Sequence, residues 1–410
     1  MPTSHNWNKV LPLAMELAGQ ASTWTALARA VSARLGPIPL ATFKQGIKRE
    51  TGQEFPTYAA FQAWALGQGD NPLSPLAQGL LAHLRGQGRD VPCSLLDLSE
   101  TFDRSPSSIL AAAKELRAAD FYIEIADDRH IIMPTVQPPS RWRIPAGHWM
   151  QDRVHRFGLV SDSHLANRNA RLDVLEALYD IFEQEGIESV LHAGNLIDGE
   201  SKWNRSELVV HGVEGQLAYV IQHYPQRDGI TTRFLTASCH EGWYGEGIGL
   251  DIGRYMHNSF AAYGRKDLEW LGHVEVDLEL HPDNPQAVLR IFHPGGGSAY
   301  ATSYPVQKHV EAWQGGEKPS VCIFGHYHKT GYFYPREVHC LLAACTCDQT
   351  FFMRKRKMAA HVGGWIVEIH MTAMGGVGRV KTEFVPFYDK GYYEARWDYL
   401  SKWLDTGDET

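Results

Sequence analysis

Apolar residues change their spacing part-way along this chain, and the change divides it. Up to residue 135 they recur every three or four positions, as in "STWTALARAVSARLG", "LATFKQGIKRETG", "SPLAQGLLAHLRGQG", "SLLDLSETFD" and "SPSSILAAAKELRAADF". That period predicts amphipathic helices. A "PIP" turn separates the first two, and Ser105 ahead of Pro106 marks a helix start. "FYIEIADDRHIIM" then reads as two short strands around the turn "ADDR".

From residue 154 the pattern becomes β-α alternation. "HRFGLVSD", "ESVLHAG", "TRFLTAS", "AVLRIFH" and "PSVCIFG" are short apolar runs of the kind that form buried strands of a layered α/β domain. Between the first two, 169–185 is a predicted helix with Leu172, Leu175, Leu178, Tyr179 and Phe182 on one side. After 330 the chain is β-rich again, in "GYFYPREVHCLLAAC", "GGWIVEIHM" and "GRVKTEFVPFY", and it ends in a predicted helix, "EARWDYLSKWL". The expected organisation is a helical region 1–70 with a helix-turn-helix candidate and a second helical region 71–135. A Pro-rich linker 136–153 follows, then an α/β domain 154–390, then a C-terminal helix and tail 391–410. Three helices followed by a hairpin over 71–135 resemble the winged-helix family, with 107–119 in the place of its recognition helix.

Composition narrows the class. A length of 410 residues exceeds one typical domain, and 44% hydrophobic residues with 21% charged are ordinary for a globular protein with a full core. The net charge of −8 is uneven: residues 1–150 hold 14 basic against 13 acidic residues, and the remainder 25 against 34. Six irregularly spaced cysteines are not a disulfide framework and fit a reducing compartment. No basic-then-apolar leader and no run of 18 apolar residues is present, so a soluble cytoplasmic protein without membrane association is expected.

Each of the five apolar runs ends in residues able to bind a metal. They are Asp162-Ser163-His164, Gly194-Asn195, Ser238-Cys239-His240-Glu241, His293, and Gly325-His326-Tyr327-His328. Strand carboxyl ends in α/β sheets converge on one crevice, so residues far apart in sequence can meet there. A lone histidine is more often structural; five successive strands with such ends point to a metal site. Gly194 and Gly325 leave room for close backbone approach where the chain leaves the sheet. Alternation would let His326 and His328 face one side of an extended segment.

This order resembles the pattern D-x-H, G-D, G-N-H-D/E, H, G-H-x-H of the calcineurin-like metallophosphoesterase superfamily over about 154–330, with the β-rich tail to about 385 completing a two-sheet sandwich. The resemblance implies an α/β fold, a two-sheet β-sandwich flanked by helices and preceded by the helical winged-helix-like region. It implies two divalent ions, manganese foremost, with zinc, iron or magnesium as alternatives. Asp162, His164 and His328 would hold one ion; Cys239, His293 and His326 the other; Asn195 would stand between them. Two such ions about 4 Å apart bind phosphate oxygens, lower the pKa of a bridging water and neutralise charge developing on phosphorus. His240 takes the place of a phosphate-contacting histidine that protonates the leaving oxygen, and Glu241 is its expected orienting partner.

Two positions depart from the pattern: Asn195 stands where the bridging aspartate belongs, and Cys239 where the motif's asparagine belongs. Two dications about 4 Å apart at an effective dielectric of about 20 repel by roughly 17 kcal/mol, and a neutral amide returns no charge. Asn195 is thus either an inactivating substitution, a natural divergence in which a Cys239 thiolate restores the charge and favours a softer metal, or the mark of a relative that only binds. Asp198, three residues on, is a weak substitute because it lies past the strand end.

The helical N-terminal region points to DNA as the partner and to a nuclease as the activity, with Lys44, Lys48, Arg49, Arg104, Lys114 and Arg117 on phosphates. Its near-zero net charge argues against a dedicated DNA binder. The run Arg354–Lys357 ("RKRK") adds a basic patch, and Trp203, Trp243, Tyr244, Tyr300, Tyr304 and Trp313 are candidate stacking residues. A phosphatase acting on protein or small molecules and a DNA-binding relative with an impaired site are the alternatives, and a homodimer is left open.

Overall fold

The computed structural model describes residues 7–388, apart from 19–20, 22, 52–56, 59–60, 62–72, 128, 141, 150–152 and 298. The helix expected over 391–410 lies outside the described residues. The chain forms two compact units, one built up to Gln137 together with Gly212–Ala218 and Tyr244–Asp251, the other from the rest.

The first unit begins with α1 (Trp7–Leu17), α2 (Trp24–Leu35) and α3 (Leu40–Thr51). Thr23 caps α2, its side chain accepting from Ala26 N at 3.1 Å. These helices bury Trp24, Leu27, Val31, Phe43 and Ile47 in one cluster. A second cluster, including Leu80, Leu84, Leu98, Ile109, Leu116 and Ile131, joins α4 (Pro75–Gly86), α5 (Leu95–Phe102) and α6 (Pro106–Ala118) to a small sheet. Ser74 and Ser105 cap α4 and α6, each ahead of a proline at the first helical position. The sheet consists of β1 (Cys93–Ser94), β2 (Glu124–Ala126) and β3 (His130–Ile132), antiparallel in the order β1-β3-β2. The helices and the hairpin were legible in the sequence; β1, two residues long, was not.

The second unit opens earlier than expected. The sequence predicts a linker over 136–153, but its Arg143–Ile144 forms β4, an edge strand parallel to β9 (Glu275–Glu279). Prolines flank β4 without interrupting it, and edge strands tolerate that. Two six-stranded sheets follow. One has the order β15 (Val377–Pro386), β14 (Gly363–Met371), β5 (Val154–Val160), β6 (Ser189–His192), β7 (Thr231–Thr236), β8 (Leu268–His273). The other runs β12 (Thr330–Phe333), β13 (His339–Ala343), β11 (Val321–Phe324), β10 (Val288–Phe292), β9, β4.

The sheets sandwich a common core in which Phe157, Leu159, Leu191, Leu235 and Val367 of the first meet Leu278, Leu289, Ile291, Ile323 and Leu341 of the second. The period of two is visible in β11. Val321 and Ile323 enter this core, while Cys322 and Phe324 pack outward with Val306 and Val310 of the helix Tyr304–Ala312. On the first sheet the helix Leu172–Gln184 buries Val174, Leu175, Leu178, Tyr179 and Phe182. This is the expected fold class: a two-sheet α/β sandwich flanked by helices, preceded by a helical region. The five metal-bearing strands divide between the two sheets: β5, β6 and β7 lie in the first, β10 and β11 in the second. Continuous apolar runs buried on both faces carry no signal of which layer they join. Among the described residues no helix is long and apolar enough to cross a membrane.

Candidate metal centre

Within each sheet the relevant strands are parallel, β5 with β6 and β7, and β10 with β11, so their carboxyl ends release the candidate residues along one edge of the sandwich. There the backbone is bent sharply. Asp162 (φ 47°), His164 (46°), Asn195 (53°), His240 (52°), His326 (78°) and His328 (52°) all adopt the left-handed region, which side chains with a Cβ avoid. Such strain clusters where the surroundings impose it, commonly at functional sites. It also corrects the alternation argument. His326 and His328 lie in a tight turn, not an extended segment, and serve different groups of neighbours.

Asp162 is fully buried, and its Oδ1 is the focus of the site. That oxygen lies 3.3 Å from His328 Nε2 and 3.9 Å from both His164 Nε2 and His293 Nε2. Its other oxygen, Oδ2, accepts from Ser161 Oγ at 2.5 Å and from His326 N at 3.0 Å. Asp162, His293 and His328 therefore sit within one side chain's reach. Burial works to raise the Asp162 carboxyl, but the His328, His293 and His164 imidazoles outweigh it and hold the group well below the usual carboxylate range.

Each of the four imidazoles is tied by one nitrogen and turns the other toward its neighbours. His164 Nδ1 pairs with Asp198 Oδ1 at 2.9 Å, His293 Nδ1 donates to Ala193 O at 2.7 Å, and His326 Nε2 donates to Gly296 O at 2.7 Å. His328 Nδ1 meets Cys347 Sγ at 3.6 Å. Outer partners of this kind fix the tautomer and aim of metal-binding histidines. Room for His293 comes from the two glycines: a Cβ on Gly194 (φ 102°) would lie 2.5 Å from His293 Nδ1, and one on Gly325 2.3 Å from Ala193 O.

Two groups of donors result. His164 Nε2 and His328 Nε2 are 3.2 Å apart beside Asp162. Cys239 Sγ lies 3.6 Å from His293 Nε2 and 3.9 Å from His326 Nδ1. Tetrahedral coordination with bonds of about 2.0 Å to nitrogen and about 2.3 Å to sulfur sets donor atoms roughly 3.3–3.6 Å apart. The donor set fits divalent ions. Cys347 also falls within 4.8 Å of ring nitrogens of His164 and His328, but its sulfur meets Nδ1 of His328, while Nε2 of that ring faces Asp162. We read it as the support of that ring.

Asn195, buried between the groups, donates from Nδ2 to Asp162 Oδ1 at 3.2 Å, and its Oδ1 is 3.5 Å from Cys239 Sγ. Burial and the Glu241 carboxylate push the Cys239 thiol up. His328 is displaced the other way. Burial lowers it, but Asp162 and Cys345 raise it to about 10. The His328 contribution to stability is thus complete below its unfolded value near 6.5 and lost as pH rises toward about 10. Metals require the neutral ring and the thiolate, so filling both positions should release two protons at pH 7.5, one from His328 and one from Cys239, and affinity should rise with pH across that window. Calorimetry of metal binding in two buffers of different ionisation enthalpy, on the parent protein and on Cys239→Ala, measures the protons released; none released by Cys239→Ala would contradict the His328 assignment.

Two roles read from the sequence are corrected. Glu241 does not orient His240. Its Oε1 accepts from Asn195 N at 3.0 Å and Ala237 N at 3.1 Å, pinning the two turns together. Asp198 takes that place: His240 Nδ1 lies 3.2 Å from Asp198 Oδ1 and 3.0 Å from its carbonyl oxygen. Asn167 and Asn204 donate to Asp198 Oδ2 at 2.7 and 2.8 Å. Asp198 is no substitute bridge but a buried anchor for both His164 and His240. Its sequence signal was the acidic residue three positions after Asn195, which alone does not reveal the turn. Cys347 carried no motif at all.

The other residues scatter. Arg117, half-buried, donates from Nε to Ile123 O at 2.6 Å and so braces its own hairpin. Arg104, Lys114, Lys44 and Lys48 are exposed, Lys44 lying 5.4 Å from the Trp24 ring. The Arg49 side chain lies outside the described residues. Trp313 is ordinary packing, stacked on Phe324 at 6.2 Å. Trp243 lies against His240 at 4.6 Å, Tyr244 is half-buried, and Trp203, Tyr300 and Tyr304 are exposed.

No protein-family model and no curated protein matches this chain. Among solved structures it is similar to an archaeal phosphodiesterase at 11% identity, covering 56% of this chain and 99% of that one with a TM-score of 0.31. It is similar to a 5'-nucleotidase precursor from Thermus thermophilus at 12% identity, covering 62% and 59%, TM-score 0.31. It is similar also to Vps29 complexed with zinc from Entamoeba histolytica at 13% identity, covering 57% and 99%, TM-score 0.26.

Proposed function

We propose that the second unit is a metal-dependent phosphoesterase and that its substrate is a DNA phosphodiester. One observation carries the reading: four histidines from three separate strand ends, each anchored by its outer nitrogen, gather around a single buried carboxylate. A purely structural role would not need four imidazoles with inward nitrogens left unpaired by any carbonyl. Asp162, His164 and His328 would hold one ion and Cys239, His293 and His326 the other, beside Asn195. Bound divalent ions would supply Lewis acidity toward phosphate oxygens and toward a nucleophilic water. His240, held at Nδ1 by Asp198, keeps Nε2 for a phosphate oxygen or for protonating the leaving oxygen. Trp243 and His164 confine that ring, at centroid distances of 4.6 and 4.3 Å.

DNA is favoured over other phosphoesters by the first unit. Its order α4-β1-α5-α6-β2-β3 resembles the layout of a winged helix, and in that reading α6 would enter the groove with exposed Lys114 and Arg104 near phosphates. The alternative of an impaired, binding-only protein rests on Asn195, whose amide occupies Asp162 Oδ1. The deciding experiment combines metal analysis with hydrolysis of bis-p-nitrophenyl phosphate, p-nitrophenyl phosphate and DNA, with manganese, zinc, iron or magnesium added. Diester and DNA turnover is expected. Monoester turnover alone would make the protein a phosphatase; tight DNA binding without turnover, even with aspartate restored at 195, would make it a binding relative.

A further inference from the structure

Beside the metal centre, in the same unit, lies a surface that the chemistry above does not use. The short helix Phe351–Lys355 is capped by Thr350, which accepts from Met353 N at 3.3 Å, and Met353 is its buried anchor. That anchoring turns Phe351 and Phe352 outward, 69% and 49% exposed. Arg354, Lys355, Arg356 and Lys357 follow, all exposed. Among the described residues none of these four cations forms an ion pair. Arg356 lies 5.6 Å from the Phe352 ring centroid.

The surface adjoins the site through a short series of contacts. Phe351 N donates to Glu207 Oε1 at 3.1 Å, in the turn that also carries Trp203 and Asn204. Asn204 in turn donates to Asp198, the anchor of His164 and His240. Trp203 is 68% exposed, with the Lys202 ammonium 4.9 Å from its ring. One rim thus presents three exposed aromatic rings, two of them with a cation over the face, and a row of unpaired positive charge.

The occupant must be anionic along its length and must offer flat faces to the rings. Cations without acidic partners match a row of phosphates, and exposed rings stack on bases only where the bases are unpaired. A duplex hides those faces. We propose that this rim binds single-stranded nucleic acid and delivers its phosphates to the metal centre, an inference that rests on the phosphodiesterase reading for its substrate but can be tested without turnover.

The test uses the full chain with EDTA present, measuring anisotropy of a labelled oligothymidylate across a salt series. For R354Q/K355Q/R356Q/K357Q the slope of log affinity against log salt should become shallower by up to about 2.8, at about 0.7 per cation removed. For F351A/F352A, affinity should fall about five- to hundredfold with the slope unchanged. Hydrolysis of bis-p-nitrophenyl phosphate, too small to reach the rim, should stay as in the parent protein for both variants. On the unmodified protein, bound oligonucleotide should shield Lys355 and Lys357 from acetylation, a readout independent of whether the variants fold. Unchanged slope and affinity in the variants would overturn the proposal. So would an unshielded Lys355–Lys357 pair, or loss confined to binding of phosphatidylserine vesicles. Failure of the phosphodiesterase reading looks different: no diester turnover with any metal, while the rim variants still lose oligonucleotide.

Discussion

Asp162→Asn should empty the metal centre and bring phosphodiester hydrolysis below detection. Asp162 supplies the one carboxylate oxygen that three imidazole nitrogens approach within 3.9 Å. A single negative charge about 4 Å from a dication is worth roughly 8 kcal/mol gross at an effective dielectric of about 20. Desolvating a buried carboxylate takes back much of that. A net loss of a few kcal/mol still means a hundred- to thousandfold weaker binding. If the amide oxygen takes the place of Oδ2 and keeps the bonds from Ser161 Oγ and His326 N, its NH2, which only donates, stands where Oδ1 now faces the imidazoles; if the amide is turned the other way, both of those donors lose their acceptor. Metal content after dialysis, by mass spectrometry, is the direct measure. Retention of two ions per chain by Asp162→Asn would mean that the histidines and cysteines bind without it, and the centre as described would be wrong.

The sequence carried the composition of this site better than its wiring. Polar residues at the ends of apolar runs are readable because a strand's end is marked by the loss of its apolar residues, and Asp162, His164, His293, His326 and His328 were all found in that way. Their outer partners were not. Asp198 lies past a turn whose shape depends on left-handed backbone at Asn195, and no local pattern announces that conformation in a residue with a Cβ. Cys347 is 19 positions beyond His328, and β12 and β13 bring it back beneath the ring. Which sheet each strand joins was hidden for another reason. β9, "EVDLE", alternates polar and apolar residues, and β8, "LEWLGH", is broken by Glu269 and Gly272, so both lack the apolar run that flagged the others. β4 was hidden by its proline-rich surroundings. Long-range pairing, not propensity, made each of these elements.

Asn195→Asp should tighten metal binding at least tenfold and raise hydrolysis in parallel, while lowering the stability of the metal-free protein. Both effects come from one distance. Asn195 Nδ2 lies 3.2 Å from Asp162 Oδ1, so a carboxylate at 195 would face another carboxylate at that spacing. Without metal, two such charges repel by roughly 5 kcal/mol gross at an effective dielectric of about 20, and one of them takes up a proton instead. The melting temperature in EDTA should therefore fall below that of the parent protein. With ions bound, the same charge offsets the repulsion between two dications about 4 Å apart, roughly 17 kcal/mol at that dielectric, by attracting both. The gap between melting temperatures with and without metal should widen, an effect that a merely conservative substitution would not produce. Thermal scans with EDTA, manganese and zinc, run beside diester hydrolysis, read both halves of the expectation. An unchanged gap, together with full occupancy of both positions in the parent protein, would show that the Cys239 thiolate already supplies the missing charge. The bridging role assigned to position 195 would then have to be given up.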